Sequence, residues 1–427
     1  MGLILQIRGR QILDSRGIPT VEVDLYTDRG VFSRASVPSG TSISKKEAFE
    51  LRDHDEGRYS GKSVTKAIYN INKTLNQELR GKYVLDQITI DSLMNELDGT
   101  ENKSHLGANS ILAVSIAVAR AGAITTNQPL FRYLGGVNAN VLPIPMMNMI
   151  SGGVNANNNV DIQDIMILPI KANTFSDAYR YCLEVYYNLQ NILKEKGYFL
   201  QLSQEGGLAP NINSNEEAIE FVIEAIKKAG YSPEKEIMLG LDFASTLFYN
   251  SEKKRYVLKN KEELTPQEWA DYVLKLINKY PVIAIEDPLE EDDWEGWKNL
   301  THKINDNILV IGDDIFVTNP ILLTKGIYNN IANAISIKPN QIGTVTETLT
   351  TIQYATNFAY YSVISHRSGE TDDVFIAELC VATNSGIFRA GAPCRLERII
   401  KYNQILRIEE MLGKTAIYHG NIFRYSR

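Results

Sequence analysis

Cysteine is scarce in this sequence, with three residues among 427. Cys182, Cys380 and Cys394 are odd in number and show no CxxC spacing, which argues against a disulfide framework and a cysteine-ligated metal site. Unpatterned cysteines are typical of reduced thiols in the cytoplasm. We therefore expect the fold to be stabilised by an apolar core, for which the chain has ample length and apolar content.

The chain also lacks a block of basic residues and a long apolar run. It has 51 Asp and Glu against 44 Lys and Arg, a formal net charge of −7, which argues against nucleic acid as the main partner. The apolar run at the amino terminus is too short for a signal peptide, and the one around residues 111–119 is interrupted by Arg120 and too short to span a bilayer. We expect a soluble cytoplasmic protein with no membrane partner. An anionic substrate would need metal ions or a few placed Arg and Lys side chains.

The sequence does contain several apolar runs that each end in a charged residue. LGLD, VIAIE, ILVIGD and NAISIK end in Asp242, Glu286, Asp313 and Lys338. Buried parallel strands have continuous apolar runs, and barrel enzymes carry their chemistry at the carboxyl ends of such strands. A helix cap or a surface position explains one aspartate well, but it explains three successive strand ends poorly. The pattern predicts that three carboxylates and a lysine meet at one mouth.

The segments between these runs have the periodicity and start signals of helices. Residues 265–268 form a capping box with proline in the first turn, and further helices are predicted at residues 293–305 and from about Asn319 and Thr344. Strand ends spaced roughly 25 to 45 residues apart suit βα units with right-handed crossovers. The predicted fold class is α/β, with a (β/α)8 barrel over residues 140–427.

Residues 1–132 have a different pattern, which predicts a small α+β domain. TVEVDLYTDRGVFSRASV alternates apolar and polar residues on both sides of Asp28-Arg29-Gly30, as an antiparallel hairpin does. A strand at residues 4–12 precedes the hairpin, and helical stretches follow it at residues 64–79, 90–97 and 108–126. A Gly-rich link then leads to the first barrel strand, PIPMMNMI, at residues 143–150.

Several long motifs carry a family resemblance. The most specific are ILDSRGIPTVEV, LDGTENKSHLGANSILAVS, QEGGLAPN, IEDPLEEDDW, GDDIFVTN, KPNQIGT, SHRSGET and KYNQILRIEE. On these motifs the chain resembles enolase over essentially its whole length. The resemblance implies an enolase-type barrel with an N-terminal capping domain, and a homodimer. It also implies two Mg²⁺ ions per active site, the second arriving with the substrate, and a small anionic phosphorylated carboxylate as that substrate.

The resemblance further implies a role for each site residue. The catalytic set would be Glu205, Lys338 and Asp164, with Lys338 as the base that abstracts the C2 proton and Glu205 as the acid that protonates the departing C3 hydroxyl. The metal ligands would be Asp242, Glu286 and Asp313 for the first Mg²⁺ and Ser42 for the second. The substrate-binding set would be Asn155, Gln204, His366, Arg367, Ser368 and Arg389, with Arg367 and Ser368 on the phosphate.

The residue types suit this chemistry on physical grounds. Removing a proton beside a carboxylate creates a dianion, whose charge must be offset where it develops. Three carboxylates suit octahedral Mg²⁺, a guanidinium suits a phosphate, and a lysine base needs a pKa lowered by nearby cations. For single residues, a snorkelling lysine and a loop glutamate are the ordinary alternatives. Only His366 follows an apolar run, and the surface is predicted for the other histidines, His54, His105, His302 and His419.

The sequence departs from the enolase pattern around the predicted site. Asn155 stands for a histidine, Asp164 for a glutamate, Gln204 for an aspartate and Arg389 for a lysine. The lid has PSGTSIS where enolases have PSGASTG, and Ser44 within it equally suits the capping box of a following helix. A carboxylate one methylene shorter withdraws by about 1 Å, which can cost on the order of 10²-fold in rate, and Arg keeps the charge of Lys but not its shape.

Three functions are compatible with this sequence. The first is dehydration of 2-phosphoglycerate to phosphoenolpyruvate by a Mg²⁺-dependent hydro-lyase. The second is an enolase-like paralogue that acts on a related phospho- or phosphono-carboxylate, of the kind that makes carboxyphosphonoenolpyruvate in secondary metabolism. The third is a non-catalytic binding protein with an enolase fold. If the chain had lost its catalytic function, random substitutions would be expected at the predicted metal ligands as well. These residues are retained, which favours the two enzymatic functions.

Overall fold

The computed structural model describes residues 2–41, 44–304, 307–421 and 423–424. The amino-terminal part begins with an antiparallel sheet of three strands, in the order β1 (Ile4–Leu13), β2 (Pro19–Thr27) and β3 (Phe32–Ser36). The predicted hairpin is confirmed, and its turn uses Gly30 with a positive φ of 74°, a conformation that glycine adopts without strain.

Helices pack on this sheet and complete an α+β domain. Their bounds are Thr65–Asn70, the π-helical turn Ile71–Leu75, Asn76–Leu79, Gln87–Asp98, Ala108–Thr125 and Leu130–Gly135. Ala108–Thr125 is long and apolar enough to cross a membrane, but 83% of it is buried inside the protein, as in a core helix. Arg120 interrupts the apolar run but not the helix, in agreement with the helical stretch predicted at residues 108–126, and its guanidinium is paired with Asp373 at 2.7 Å.

The larger part of the chain is an α/β barrel. Its strands are β4 (Ile144–Pro145), β5 (Met147–Ser151), β6 (Asp164–Pro169), β7 (Ile237–Asp242), β8 (Val282–Glu286), β9 (Leu309–Gly312), β10 (Ala334–Ile337), β11 (Tyr361–Ser365) and β12 (Gly386–Arg389). β6 is antiparallel to both β5 and β7, and the strands from β7 to β12 are parallel. The barrel therefore does not alternate strand and helix from its start.

One segment nearly closes the barrel. The predicted first strand, at residues 143–150, is broken at Met146 into β4 and β5. β4 pairs with β12, whereas β5 pairs with β6, so the two edges of the sheet are tied by consecutive residues. A sheet without open edges has no unpaired backbone groups along its sides.

Helices cover the outside of the barrel. Their bounds are Phe175–Glu195, Asn215–Lys228, Pro266–Lys279, Trp294–Lys303, Pro320–Tyr328, Val345–Asn357, Phe375–Ala382 and Leu396–Leu412. The predicted capping box at Thr265 and Glu268 is confirmed, and Asn319 and Thr344 cap the helices that follow them. His419 is buried, so its predicted surface position is wrong; its ring packs beside Tyr361 in the core.

Short strands lie outside the barrel. Val141–Leu142 pairs with Ile417–Tyr418, and a small antiparallel sheet is formed by Tyr249–Asn250, Arg255–Val257 and Glu263–Leu264. The two-residue pairing ties the link before the barrel to the carboxyl-terminal end of the chain. The mouth of the barrel lies at the carboxyl ends of β7 to β12.

Candidate active site

Charged residues from neighbouring strands meet at this mouth. Asp242 and Glu286 are the last residues of β7 and β8 and are partners in register, and Asp313 follows β9 directly. Asp164 is the first residue of β6, and it reaches the same mouth because β6 is antiparallel and pairs Asp164 with Asp242. Lys338 follows β10. The topology of the barrel therefore places these five side chains at one end.

A cavity of about 550 Å³, open to solvent, lies at the mouth. Its lining includes Asn155, Glu205, Asp242, Asp313, Lys338, His366, Arg367, Ser368 and Arg389. Asp164 and Glu286 do not line it, but both bind Arg389. Gln204 is exposed, and its side-chain oxygen accepts a hydrogen bond from Thr41 at 3.3 Å. Ser42, predicted for the second Mg²⁺, lies outside the described residues.

Arg389, the last residue of β12, is bound by three carboxylates. Its Nη1 donates to Glu286 Oε2 at 2.6 Å, and its Nη2 donates to Asp242 Oδ2 at 2.7 Å and to Asp164 Oδ2 at 2.9 Å. All four side chains are buried. Burial raises the pKa of Glu286 to about 7, although Arg389 opposes the shift. Burial and the neighbouring Glu205 raise the pKa of Asp164 well above its ordinary value.

Lys338 is mostly buried beside Asp313, with 14% of its side chain exposed. Its Nζ contacts Asp313 Oδ2, and Gln341 Nε2 donates to the other carboxylate oxygen at 3.0 Å. Burial lowers the pKa of Lys338, but Asp313 and Glu286 oppose it, and the net pKa lies above that of an ordinary lysine. A lysine base needs the opposite shift, so this role requires that Asp313 be shared with another cation.

Glu205 lies beside a neutral histidine. Asn148 Nδ2 donates to Glu205 Oε2 at 3.1 Å, and His366 Nε2 lies 3.4 Å from the same oxygen. Burial and the nearby Arg398 lower the pKa of His366 well below its ordinary value. Arg398 contacts His366 Nδ1, and since arginine can only donate, Nδ1 accepts and the ring proton is on Nε2. His366 therefore presents a donor to Glu205.

The predicted phosphate-binding residues lie against the amino-terminal domain. Glu47 accepts hydrogen bonds from Arg367 Nη1 and Nη2 at 2.9 and 3.2 Å. Ser368 Oγ accepts the backbone N–H of Thr41 at 2.9 Å. Arg398 donates to the backbone carbonyls of Arg367 and Ser368 at 2.6 Å each, which fixes this loop in place. The carboxylate of Glu47 therefore binds the guanidinium of Arg367, which is the predicted contact for a phosphate.

No helix follows Ser44, so the capping-box interpretation of Ser-Lys-Lys-Glu is wrong. Residues 44–53 have a turn, a bend and otherwise irregular backbone, with no helix or strand. Ser44 Oγ contacts Glu291, and the Ala48 N–H donates to the Gln341 carbonyl at 2.8 Å. These contacts with the barrel hold the segment across the mouth and use backbone groups that a helix would need.

Sequence reasoning assigned no role to several buried residues of this site, namely Glu47, Asp287, Asp314, Gln341 and Arg398. A signal existed for Asp287 and Asp314, because each follows a strand-end carboxylate in IED or GDD. Asp287 accepts the backbone N–H groups of Asp313 and Asp314 at 2.9 Å each, and burial raises the pKa of Asp287 and of Asp314 well above its ordinary value. Asp287 thus braces the loop that presents Asp313.

The donor set at the mouth fits a Mg²⁺ ion. One oxygen each from Asp287, Asp313 and Asp314 lies within 4.8 Å of the others, so this buried group could hold a metal ion. Both Asp287 oxygens, however, already accept backbone donors. Glu286 Oε1, in contrast, is buried with no hydrogen-bond partner among the described residues. An oxygen-only set with an unsatisfied carboxylate oxygen is what a hard divalent cation requires.

Comparison with known families identifies both parts of the chain. The enolase N-terminal domain matches residues 4–134, and the enolase C-terminal TIM barrel domain matches residues 139–427. The chain belongs to the enolase family. Membership indicates a hydro-lyase, the use of Mg²⁺ and a phosphorylated carboxylate as substrate. The enolase fold predicted from the sequence, an α+β domain followed by a nearly closed barrel, is confirmed.

Proposed function

We propose that this enolase-family protein dehydrates 2-phospho-D-glycerate to phosphoenolpyruvate. The observation that supports it best is that one cavity is lined by a lysine, Lys338, a buried glutamate, Glu205, and the anion-binding pair Arg367 and Ser368. Removal of a C2 proton and loss of a C3 hydroxyl need a base and an acid in one cavity. A phosphate needs a separate cationic contact.

In the proposed mechanism, each of these residues has one task. Lys338 Nζ accepts the C2 proton, and Glu205 donates a proton to the C3 hydroxyl as that oxygen departs. Arg367 exchanges Glu47 for the substrate phosphate, and Ser368 supports the same group. The N–H of His366 holds the Glu205 carboxyl in place. Asp242, Glu286 and Asp313 would hold Mg²⁺, which offsets the negative charge that develops on the substrate carboxylate.

A direct ultraviolet assay of phosphoenolpyruvate formation tests this function. We expect the purified wild type, with Mg²⁺ and 2-phosphoglycerate, to turn over at a rate typical of metabolic enzymes, on the order of 10 per second. The control is the same assay with EDTA. A wild type that forms no phosphoenolpyruvate at saturating Mg²⁺ would exclude 2-phosphoglycerate as the substrate.

The second candidate function is enolisation of a related phospho- or phosphono-carboxylate. It is favoured by one observation, the buried contact between two departures from the family pattern, Arg389 and Asp164. A retuned pocket predicts that the wild type turns over 2-phosphoglycerate poorly. Replacing Asn155, Asp164, Gln204 and Arg389 with the family's His, Glu, Asp and Lys would then raise that turnover by several orders of magnitude. The non-catalytic alternative predicts no proton exchange with any such substrate.

Mg²⁺ is expected to raise the melting temperature of the wild type, and Asp313→Ala is expected to lose that increase. Binding to the native state alone stabilises it by about 2.7 kcal/mol when the ion is present at 100 times its Kd. Calorimetric or fluorescence melts with MgCl₂ and with EDTA measure the difference. Asp271→Ala removes an exposed acid on an outer helix and serves as the matched control. If neither MgCl₂ nor EDTA changes the melting temperature of the wild type, the proposed metal site is refuted.

We also propose that the protein is a homodimer or a higher homo-oligomer, as the family resemblance implies, and that it is cytoplasmic. The three cysteines support a reducing compartment, since the structure pairs none of them in the part of the chain it describes. Sedimentation at assay concentrations tests the oligomeric state. A monomer with full activity would exclude any role of the dimer in catalysis.

A further inference from the structure

Arg389 connects the substrate-binding and metal-binding parts of the proposed site. Its guanidinium extends from β12 to carboxylates on β6, β7 and β8. Two of these carboxylates, Asp242 and Glu286, are proposed Mg²⁺ ligands, and Arg389 itself matches the position that binds the substrate carboxylate. A single positive charge thus contacts three buried carboxyl groups, and a small divalent cation would bring a second positive charge to the same place.

The hydrogen bonds of Asp242 show that a metal ion cannot simply be added to this arrangement. Oδ1 accepts the backbone N–H of Ala244 at 3.1 Å, and Oδ2 accepts from Gln163 at 3.2 Å and from Arg389 at 2.7 Å. On Glu286, Oε2 accepts from Arg389 at 2.6 Å, whereas Oε1 is buried with no hydrogen-bond partner among the described residues. Asp242 Oδ2 already accepts two donors, so metal ligation through this oxygen must displace one of them. A guanidinium and a divalent ion on the same oxygens also repel each other.

We propose that Arg389 and Mg²⁺ compete for Asp242 and Glu286, so that metal binding releases Arg389 to bind the carboxylate of the substrate. The inference rests on the proposed function and adds a coupling between its two ligands. Metal and substrate then bind cooperatively, because the ion removes the intramolecular partners that hold the guanidinium. By linkage, the substrate carboxylate raises the affinity for the ion by the same factor.

The fork of arginine explains why this coupling depends on the residue at position 389. Two Nη atoms on one planar group contact three carboxylates at once, whereas the single Nζ of a lysine is a point charge on a flexible stem. Arg389→Lys should therefore retain the charge and weaken the competition. Arg389→Met should remove it.

Isothermal titration of the EDTA-treated full-length protein with MgCl₂ alone tests the proposal. We expect Arg389→Lys to bind Mg²⁺ more tightly than the wild type, with Kd lower by a factor within the roughly 5- to 150-fold range of allosteric couplings, and Arg389→Met to bind more tightly still. If Arg389→Met does not fold, Arg389→Lys decides the question. In the wild type, 2-phosphoglycerate should tighten Mg²⁺ binding more than it does in Arg389→Lys.

Arg120→Lys is the matched control, because Arg120 is also paired with an aspartate, Asp373, and lies outside the cavity. Its Mg²⁺ affinity should equal that of the wild type. An unchanged or weaker affinity in Arg389→Lys would overturn the competition and make Arg389 a support for the metal ligands. Tighter binding by Arg389→Lys together with no turnover of 2-phosphoglycerate by the wild type would refute the proposed function alone. No Mg²⁺ binding by any variant would refute both.

Discussion

Lys338→Ala is expected to abolish exchange of the C2 proton of 2-phosphoglycerate with deuterated water. Removal of a general base costs about 10²- to 10⁴-fold, and Lys338 is the one lysine among the residues that line the described cavity. Glu205→Gln should block loss of the C3 hydroxyl and still allow exchange, because proton abstraction precedes protonation of the leaving group. Nuclear magnetic resonance of the recovered substrate measures exchange, and ultraviolet absorbance measures elimination.

Lys103 supplies the matched control for this experiment. Like Lys338, it is a buried lysine bound to a carboxylate, Glu347 at 2.9 Å, but it does not line the cavity. Lys103→Ala should retain exchange when compared at a temperature where both variants are folded. Exchange at the wild-type rate by Lys338→Ala would assign the base to another residue. Absence of exchange in the wild type would favour the non-catalytic binding protein.

The position of the charged residues at the mouth follows from local sequence patterns. Asp242, Glu286 and Asp313 could be placed there because an apolar run predicts a buried strand and parallel strands share an end. The same rule does not find Asp164, which begins an antiparallel strand, so only the family resemblance pointed to it. Helix caps at Asn319 and Thr344 were predictable because capping depends on neighbours in the chain.

Contacts between distant segments were not predictable from the sequence. Glu47 has no local signal that it binds Arg367, since the two are 320 residues apart and meet only when the amino-terminal domain lies on the barrel. The same docking contacts prevent a helix after Ser44, which local pattern alone allowed. Arg398 is fully buried on a helix where its sequence neighbours give no indication of its task.

The partners of Arg389, at the centre of the site, could not be predicted from the sequence either. Its substitution for lysine was visible in the sequence, as was the shorter carboxylate of Asp164, but the sequence did not show which of the changed positions contact each other. The structure shows that Arg389 Nη2 and Asp164 Oδ2 are 2.9 Å apart. A longer cation and a shorter acid are complementary changes across one buried contact.

The single variants Asp164→Glu and Arg389→Lys are each expected to have a lower kcat/KM than the double variant that combines them. The longer acid would crowd the guanidinium, and the shorter cation would leave Asp164 without its partner in a site where burial already raises the pKa of that carboxyl. A misplacement of about 1 Å can cost on the order of 10²-fold, so we expect losses of that size in the single variants. The double variant should recover most of the loss.

A double-mutant cycle on kcat/KM and on the free energy of unfolding measures this coupling. Residues in direct contact give interaction energies of about 0.5–3 kcal/mol, whereas Gln204, which hydrogen-bonds Thr41 and Arg398 rather than this pair, should combine additively with either change. Gln204→Asp therefore provides the control cycle at a position that does not contact this pair. Additive losses for Asp164→Glu and Arg389→Lys would show that the two positions act independently. A large coupling would show that Arg389→Lys restores the family residue without harm only when it is combined with Asp164→Glu. The activity of a variant with one of these changes alone would then mislead about the natural substrate.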